Sequence, residues 1–237
     1  MNIAIIGAGN VGKALAGASV KAGHSVTVSS EHPENAQFLA DQVGARAVAS
    51  NQGAVAAADI VVLAVPYGAV LDIVEELGGA LDGKIVVDAT NQVRPDMSGL
   101  INEGTSVAEM IQVRAPKAKV VKAFNTALAA RQAEPTVQDT QLDGFVAGDD
   151  AIAKAKVLEY VGSLGFKPID AGPLVMARAL EAMALLNIFL QVRNGWDWQS
   201  GWKLVGPTGA QAQERPQAAA RLRAPPPVAV PRSPERA

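Results

Sequence analysis

The stretch IAIIGAGNVG, residues 3–12, joins a short apolar run to a loop with three glycines. The run is typical of a buried strand, and helical spacing begins directly after the loop. In such a unit Gly7 permits a tight turn, Gly9 lets the backbone approach a pyrophosphate, and Gly12 lets the helix pack against the strand. Free N–H groups at the helix N-terminus favour an anion. The predicted dinucleotide-binding residues of the loop are Gly7, Ala8, Gly9, Asn10, Val11 and Gly12.

A phosphate-binding P-loop is the alternative interpretation of the same residues. Gly7 and the pair Gly12-Lys13 have its spacing. A P-loop needs Ser or Thr after the lysine to hold Mg²⁺, and this chain has Ala14 there. The missing hydroxyl and the extra glycine at position 9 favour the dinucleotide loop.

Val- and Ile-rich runs alternate with helical patterns through residue 170. The predicted strands are Ile3–Ile6, Val26–Val28, Ile60–Val65, Ile85–Val87, Val120–Phe124, Phe145–Ala147 and Phe166–Ile169. The predicted helices are Val11–Ala22, Pro33–Val43, Gly68–Leu77, Val107–Val113 and Ala151–Leu164. Strands that lack polar alternation are buried on both faces. The pattern therefore predicts an α/β fold with a Rossmann-type, doubly wound, mainly parallel sheet.

The remaining chain divides into two further parts. Residues 171–205 form a small C-terminal helical extension, with an apolar helix at Leu174–Val192 and a short terminal element at Trp196–Val205. Residues 206–237 hold seven of the 14 Pro and no aromatic residue, so we expect a disordered tail. The predicted domains are thus 1–170, 171–205 and 206–237.

Composition excludes several classes of protein. The 237 residues include no Cys and two His, which excludes disulfides and Cys-based zinc sites and makes a His-rich metal site improbable, so we expect no metal. The net charge is −2, and the tail carries five Arg against two Glu, so the remainder is acidic and does not resemble a nucleic-acid binder. No apolar run is expected to span a bilayer and no signal peptide opens the chain, which predicts a cytoplasmic location.

Ribose specificity is set about 20 residues after the glycine loop. Here the sequence reads Ser29-Ser30-Glu31-His32. An acidic side chain accepts hydrogen bonds from a free 2′-hydroxyl, whereas hydroxyls and cations hold a 2′-phosphate. The two serines favour NADP(H) and Glu31 opposes it, while Ser30 or His32 could instead satisfy backbone groups before the next helix.

Three more loops follow predicted strands, where ligands bind in open α/β sheets. They are Ala64-Val65-Pro66-Tyr67, Asp88-Ala89-Thr90-Asn91 and Lys122-Ala123-Phe124-Asn125-Thr126. Tyr67 could line the adenosine or ribose, and Asn91 and Asn125 could reach the nicotinamide. Asn side chains also cap and turn loops without any ligand.

These segments together resemble the NADPH-dependent reductases of the deazaflavin coenzyme F420 and their relatives, from Met1 to about Val205. The resemblance is carried by GAGNVGKAL, AVPY, DATN, VVKAFNT and, most specifically, Asp170-Ala171-Gly172-Pro173-Leu174 with Ala177-Arg178 and Glu181. It implies hydride transfer between NADP(H) and F420. An arginine is common in the family where this chain has Glu31.

The resemblance also implies roles for individual residues. Ser30 would meet the 2′-phosphate, and Val93, Asn125 and Ala127 would surround the nicotinamide. The segment Ser200–Trp202 would approach the deazaflavin. The residues implied along the dinucleotide are Pro66, Tyr67 and Leu71, beside Val65 of the same stretch.

Charged and aromatic residues near the C-terminus suit the acidic tail and planar ring of F420. Arg178, Arg193 and Lys203 are candidate cations, although each could instead pair with a carboxylate or face solvent. The tryptophans 196, 198 and 202 could wall the ring or seal an interface. Because the helix at Leu174–Val192 is apolar nearly all round, we expect it to be buried in a homodimer.

Hydride transfer between two rings demands positioning rather than acid–base chemistry, so no catalytic side chain is assigned. A simple carbonyl reductase would need a proton donor, and Lys122 is the candidate, unless it merely reaches solvent from a strand end. The alternatives to F420 reduction are another acceptor (a flavin, a metal ion, a small carbonyl or imine) and an NADP(H)-binding redox sensor without turnover.

Overall fold

The computed structural model describes residues 1–206, of which residues 1–203 form one compact unit. The strands are β1 Asn2–Ile6, β2 Ser25–Ser29, β3 Arg46–Ala47, β4 Ile60–Leu63, β5 Ile85–Asp88, β6 Lys119–Ala123, β7 Thr136–Val137, β8 Thr140–Gln141, β9 Asp143–Gly148 and β10 Lys167–Gly172. The helices are α1 Asn10–Lys21, α2 Pro33–Val43, α3 Asn51–Val55, α4 Tyr67–Leu77, α5 Val107–Arg114, α6 Ala129–Ala133, α7 Ala151–Ser163 and α8 Ala177–Asn194. The tail predicted at 206–237 lies outside the described residues, apart from Gly206.

Eight strands form one sheet in the order β10-β9-β6-β5-β4-β1-β2-β3. Strands β1 to β6 are parallel, which confirms the doubly wound, mainly parallel fold. The chain leaves β1 first towards β2 and later returns on its other side at β4, so the strand order reverses between β1 and β4. Crevices for ligands form beyond the carboxyl ends of the strands at such a reversal.

Strand β9 runs antiparallel to β6, and β10 runs parallel to β9. The connection from β6 to β9 includes α6 and the β7–β8 hairpin. Because β6 and β9 run in opposite directions, β9 begins at the edge of the sheet where β6 ends. The connection between them therefore starts and finishes at that edge. Helix α6 is thereby added to the edge that holds the crevice, and the sequence did not predict it.

Two apolar clusters lie on the two faces of the sheet. On β1, Ile3 and Ile5 pack into one cluster, while Ala4 and Ile6 pack into the other. Strands β4 and β5 are buried along their whole length. Burial on both faces explains why the sequence shows apolar runs without alternation. Strand β4 ends at Leu63, earlier than predicted, so Ala64 to Pro66 form a loop.

A buried ion cluster joins the sheet to helix α8. The Lys122 ammonium lies 2.7 Å from Asp88 Oδ2 and 2.8 Å from Glu181 Oε1, and it donates to the Thr90 carbonyl oxygen at 2.7 Å. All three charged side chains have no exposed surface. Burial raises the pKa of the Glu181 carboxyl, and the adjacent ammonium opposes that rise. Lys122 therefore neither reaches solvent nor stands free as a proton donor, which corrects both interpretations of it from sequence.

The inner face of helix α8 combines polar side chains with the buried apolar residues Ala177, Leu180 and Ala184, and its outer face exposes large apolar side chains. Glu181, Asn187 and Gln191 are buried, whereas Leu186 and Phe189 are about half exposed. Within one chain α8 is buried on one face, where ion and amide pairs attach it, so its burial in a homodimer stays a prediction.

The segment Leu174–Asn194, which includes α8, is long and apolar enough to cross a membrane by length and composition alone, with a mean hydropathy of 1.5. A third of this window is buried within the protein. The sequence analysis expected no apolar run long enough to span a bilayer, and the length of this segment shows that this expectation is wrong. The buried pairing of Glu181 attaches the segment to the sheet.

We expect Lys122→Met to lower the free energy of unfolding by about 3–5 kcal/mol, because it leaves two buried carboxylates without their counter-ion. Lys117 is a matched control, since its ion pair with Asp82 is largely exposed. Lys117→Met should cost less than about 1 kcal/mol. Urea denaturation measures both. Equal losses in the two variants would contradict the importance of the buried cluster.

Candidate functional site

Three connected cavities follow the carboxyl edge of the sheet. The first, here called the Ser30 cavity, has a volume of about 430 Å³ and shares Gly9, Val65 and Pro66 with a central cavity of about 300 Å³. The central cavity shares Asn91 with a third cavity of about 440 Å³, here called the Gln132 cavity. The three form one elongated cleft that crosses the point where the strand order reverses.

The glycine loop has the geometry that the motif requires. Gly7 has φ +113°, and a Cβ there would collide with the Ala64 carbonyl oxygen. A Cβ at Gly12 would collide with the carbonyl oxygen of Gly7, so the helix approaches the loop too closely for any side chain. A Cβ at Gly9 would meet open space in the cleft. Two glycines thus build the turn, and the third leaves room for a ligand.

The N-terminus of α1 opens towards this space. Gly9 is the N-cap residue, no side chain caps the helix, and its first turn holds no acidic residue. Gly9 and Asn10 are exposed and line the central cavity. Uncapped N–H groups and the helix dipole attract an anion. The residues present therefore fit a pyrophosphate, and Ala8 and Val11 of the predicted loop also line the cleft.

The last residue of β2 and the three residues that follow it separate into two groups. Ser29 is buried and its hydroxyl donates to Asn51 Oδ1 at 2.8 Å, so it does not line the Ser30 cavity. Ser30, Glu31 and His32 line it. The Ser30 hydroxyl donates to the His32 carbonyl oxygen at 3.0 Å, as expected for a residue that also satisfies the backbone before a helix. The same hydroxyl accepts from the His32 N–H at 3.3 Å, and both residues lie at the edge of the cavity.

The Ser30 cavity is acidic. Glu31, Asp72 and Glu76 line it, and neither Lys nor Arg is among its lining residues within the described chain. His32 is the single side chain there that can become cationic, and it lies 3.7 Å from Glu34. A 2′-phosphate would meet these carboxylates without a permanent cation, whereas a free 2′-hydroxyl could donate to one of them.

A pair of asparagines connects the loops after β5 and β6. Asn91 Nδ2 donates to the Asn125 carbonyl oxygen at 3.0 Å, and Asn125 Nδ2 donates to Asn91 Oδ1 at 2.9 Å. Both residues line the Gln132 cavity. Asn125 Oδ1 is buried and has no partner in the structure. This oxygen can accept a hydrogen bond from a carboxamide, which fits the predicted nicotinamide end, and Ala127 lies beside it.

Of the remaining residues implied along the dinucleotide, Val65, Pro66 and Tyr67 line the central cavity. The Tyr67 hydroxyl accepts from Asn102 Nδ2 at 2.7 Å, which holds the ring in place. Leu71 packs against the apolar core, and Val93 pairs with Leu100. Neither Leu71 nor Val93 lines the three cavities.

The C-terminal residues predicted to approach the second substrate lie outside the cleft. Arg178 forms a two-point ion pair with Glu109 at 2.6 and 2.8 Å. The Ser200 hydroxyl bonds to the Asn187 and Gln191 amides. The carbonyl oxygen of Trp202 accepts from Asp143 N at 3.0 Å, beside the start of β9. None of these three residues lines the three cavities.

The Gln132 cavity has further lining residues, of which Trp198 was a candidate from sequence and the others were not. Trp198 lines it, whereas Trp196 and Trp202 do not. Helix α8 contributes Ala184 and Ile188. The connection after β6 contributes Leu128, Ala129, Ala130 and Gln132. Short apolar residues carry no chemical signal, and a five-residue helix carries no periodicity, so the sequence could not mark them.

The fold and the cleft are typical of a dinucleotide-binding protein, and comparison with known proteins identifies the family. Residues 2–92 match the family described as NADP oxidoreductase, coenzyme F420-dependent. The F420-dependent NADP reductase of Methanocaldococcus jannaschii is 33% identical over 149 residues, which cover 60% of this chain and 66% of that protein. The chain belongs to this F420-dependent NADP oxidoreductase family.

Two further proteins are similar to most of this chain. A solved structure from Arthrobacter sp. FB24, assigned as an F420-dependent NADP-reductase, has a TM-score of 0.77 and 29% identity and covers 86% of this chain and 100% of that one. Metalloreductase STEAP3 of Rattus norvegicus is 32% identical over 187 residues, which cover 77% of this chain. The match spans 36% of that metalloreductase, so the chain corresponds to about a third of its length.

We expect Gly9→Val to weaken NADPH binding at least tenfold, because the added side chain would occupy the open space beside the α1 N-terminus. Gly79→Val is the matched control, since Gly79 also faces open space and lies outside the three cavities. Calorimetric titration with NADPH measures binding, and thermal unfolding verifies that both variants fold. Unchanged affinity in Gly9→Val would show that the pyrophosphate does not bind at this loop.

We expect Glu31→Arg to raise the affinity for NADPH about tenfold relative to NADH, because it replaces a repelling carboxylate by a phosphate-binding guanidinium. Glu34→Arg makes the same change of charge on α2, outside the residues that line the Ser30 cavity. The measurement is the ratio of the two dissociation constants. If Glu34→Arg shifts the ratio as much as Glu31→Arg does, general charge rather than the ribose site sets the preference.

Proposed function

We propose that the protein transfers a hydride between NADP(H) and coenzyme F420. The observation that carries this proposal is the single cleft, which runs from the glycine loop past the free Asn125 oxygen into an apolar cavity of about 440 Å³. One end suits a dinucleotide, and the other has the size and apolar lining to accept a second ring. Family membership and the similarity to F420-dependent NADP reductases support the choice of partner.

The chemistry is supplied by the two bound molecules: a hydride with its two electrons passes from NADPH to F420, which also takes one proton from solvent, and NADP⁺ remains. The protein contributes position. The α1 N-terminus would hold the pyrophosphate, and Asn125 Oδ1 would accept from the nicotinamide carboxamide. Ala184 and Ile188 on α8 would exclude water from the space between the rings. Correct placement of two reactants removes much of the entropic barrier to their reaction.

The ion cluster supports this arrangement without taking part in proton transfer. Lys122 and Asp88 fix the loop that ends at Asn91, through the Thr90 carbonyl oxygen and the Thr90 N–H. Glu181 fixes α8 on the other side of the same ammonium. Two walls of the Gln132 cavity, the loop after β5 and helix α8, therefore depend on one buried charge.

The activity test mixes the purified protein with oxidised F420 and either NADPH or NADH, and follows loss of the deazaflavin's visible absorption. We expect bleaching with NADPH. The Gly9→Val variant serves as the control for catalysis at this loop. No bleaching with either nucleotide, alongside measurable NADPH binding, would overturn the proposal of F420 as acceptor.

Parallel assays with a flavin and with a ferric chelate test the second candidate activity. The similarity to a metalloreductase over 77% of this chain favours including them. Turnover of either acceptor in the absence of F420 reduction would assign the protein to that chemistry, and NADPH binding without any turnover would support a redox sensor. The homodimer and the cytoplasmic location stay predictions; the half-exposed apolar side chains of α8 are the surface that a second copy would cover.

A further inference from the structure

Gln132 has a buried side chain whose amide nitrogen is hydrogen-bonded and whose amide oxygen is not. It lies on α6 and is 1% exposed. Its Nε2 donates to the carbonyl oxygens of Phe124 and Ala127, both at 3.0 Å. These two bonds fix which end of the amide is nitrogen. Its Oε1 has no partner in the structure, and the residue lines the cavity named after it.

A buried acceptor without a donor destabilises the folded protein, because it has lost its hydrogen bonds to water. Such groups are few in folded proteins, and each calls for a specific explanation. A ligand that brings its own donor would remove this destabilisation. Asn125 Oδ1, the other free acceptor in this cavity, already has a use at the nicotinamide end. Gln132 Oε1 therefore calls for a second donor, on the molecule that shares the cavity with the nicotinamide.

The surroundings of the Gln132 cavity define the kind of donor. Ala184, Ile188 and Trp198 offer apolar and aromatic surface, which suits the face of a planar ring. Asp197 is the one charged residue among the described lining residues, and it is acidic. Two carbonyl acceptors and a carboxylate disfavour an anionic group in this space. A neutral ring that carries an N–H fits these conditions.

We propose that Gln132 is a positioning residue that accepts a hydrogen bond from a ring N–H of the second substrate, an imide in the case of a deazaflavin or flavin. This inference rests on the proposed function for the identity of the ring. The acceptor fixes the rotation of the ring within the cavity, so that one edge faces the nicotinamide. Substrates without a donor at that edge bind weakly.

Gln132 also has a structural role, which the test must separate from the proposed one. Its bond to the Phe124 carbonyl oxygen supports a residue with φ +65°, a strained conformation for a bulky side chain. Gln112 is a matched control. Its Nε2 donates to the carbonyl oxygens of Ala115 and Ala118, and its Oε1 accepts from Val120 N, so it ties backbone in the same way outside the cleft.

The experiment compares F420 with its derivative methylated at the imide nitrogen, on the wild type, Gln132→Met and Gln112→Met. Dissociation constants come from ligand fluorescence, and kcat/KM comes from NADPH oxidation. We expect the wild type and Gln112→Met to bind the parent at least tenfold more tightly than the methylated ring. We expect Gln132→Met to bind the two within about twofold of each other. Gln132→Asn, which withdraws the acceptor by one methylene, gives the same comparison if Gln132→Met fails to fold.

The outcomes separate this inference from the proposed function. Equal binding of the two rings by the wild type overturns the role of Gln132, even if F420 is reduced. An equal loss of affinity for both rings in Gln132→Met, with the tenfold ratio retained, also overturns it and leaves a structural role alone. Discrimination in binding without turnover supports Gln132 and overturns F420 reduction. If neither ring binds, both the role of Gln132 and the proposal of F420 reduction are overturned.

Discussion

The ammonium of Lys122 is the interaction on which the cleft depends. Three structural elements meet there: the end of β5 through Asp88, the loop after it through Thr90, and helix α8 through Glu181. A charge placed in the interior is stable only when its partners are fixed around it. The partners are therefore held in one arrangement, and that arrangement sets the distance between the strand ends and α8. The space between them is the cavity in which a second substrate would lie.

The reversal of β9 supplies the other wall. A parallel crossover would have returned the chain to the opposite edge of the sheet and left the end of β6 open. The antiparallel pairing of β6 with β9 keeps the connecting segment at the carboxyl edge. That segment carries Gln132 into the cleft and buries it there. A common dinucleotide fold thus acquires a second compartment from a short connection rather than from an added domain.

The two ends of the cleft differ in how closely they follow the family. The glycine loop and the asparagine pair have the geometry that a dinucleotide requires, whereas the Ser30 cavity has carboxylates where a phosphate needs cations. Binding of the pyrophosphate depends on backbone N–H groups and is insensitive to this difference. Discrimination between NADPH and NADH depends on side chains at the rim, which can change without disturbing the fold.

The sequence was sufficient to predict the local features of this protein. It predicted the glycine loop, most of the sheet and the positions of Asn91 and Asn125, because strand burial and loop chemistry depend on neighbours in the chain. The surroundings of Lys122, Arg178 and Gln132 became apparent only in the folded protein. Lys122 finds its carboxylates 34 and 59 positions away, and Arg178 finds Glu109 at a separation of 69. The pairing of a charge depends on which distant elements the fold brings together, and residue type alone does not contain that information.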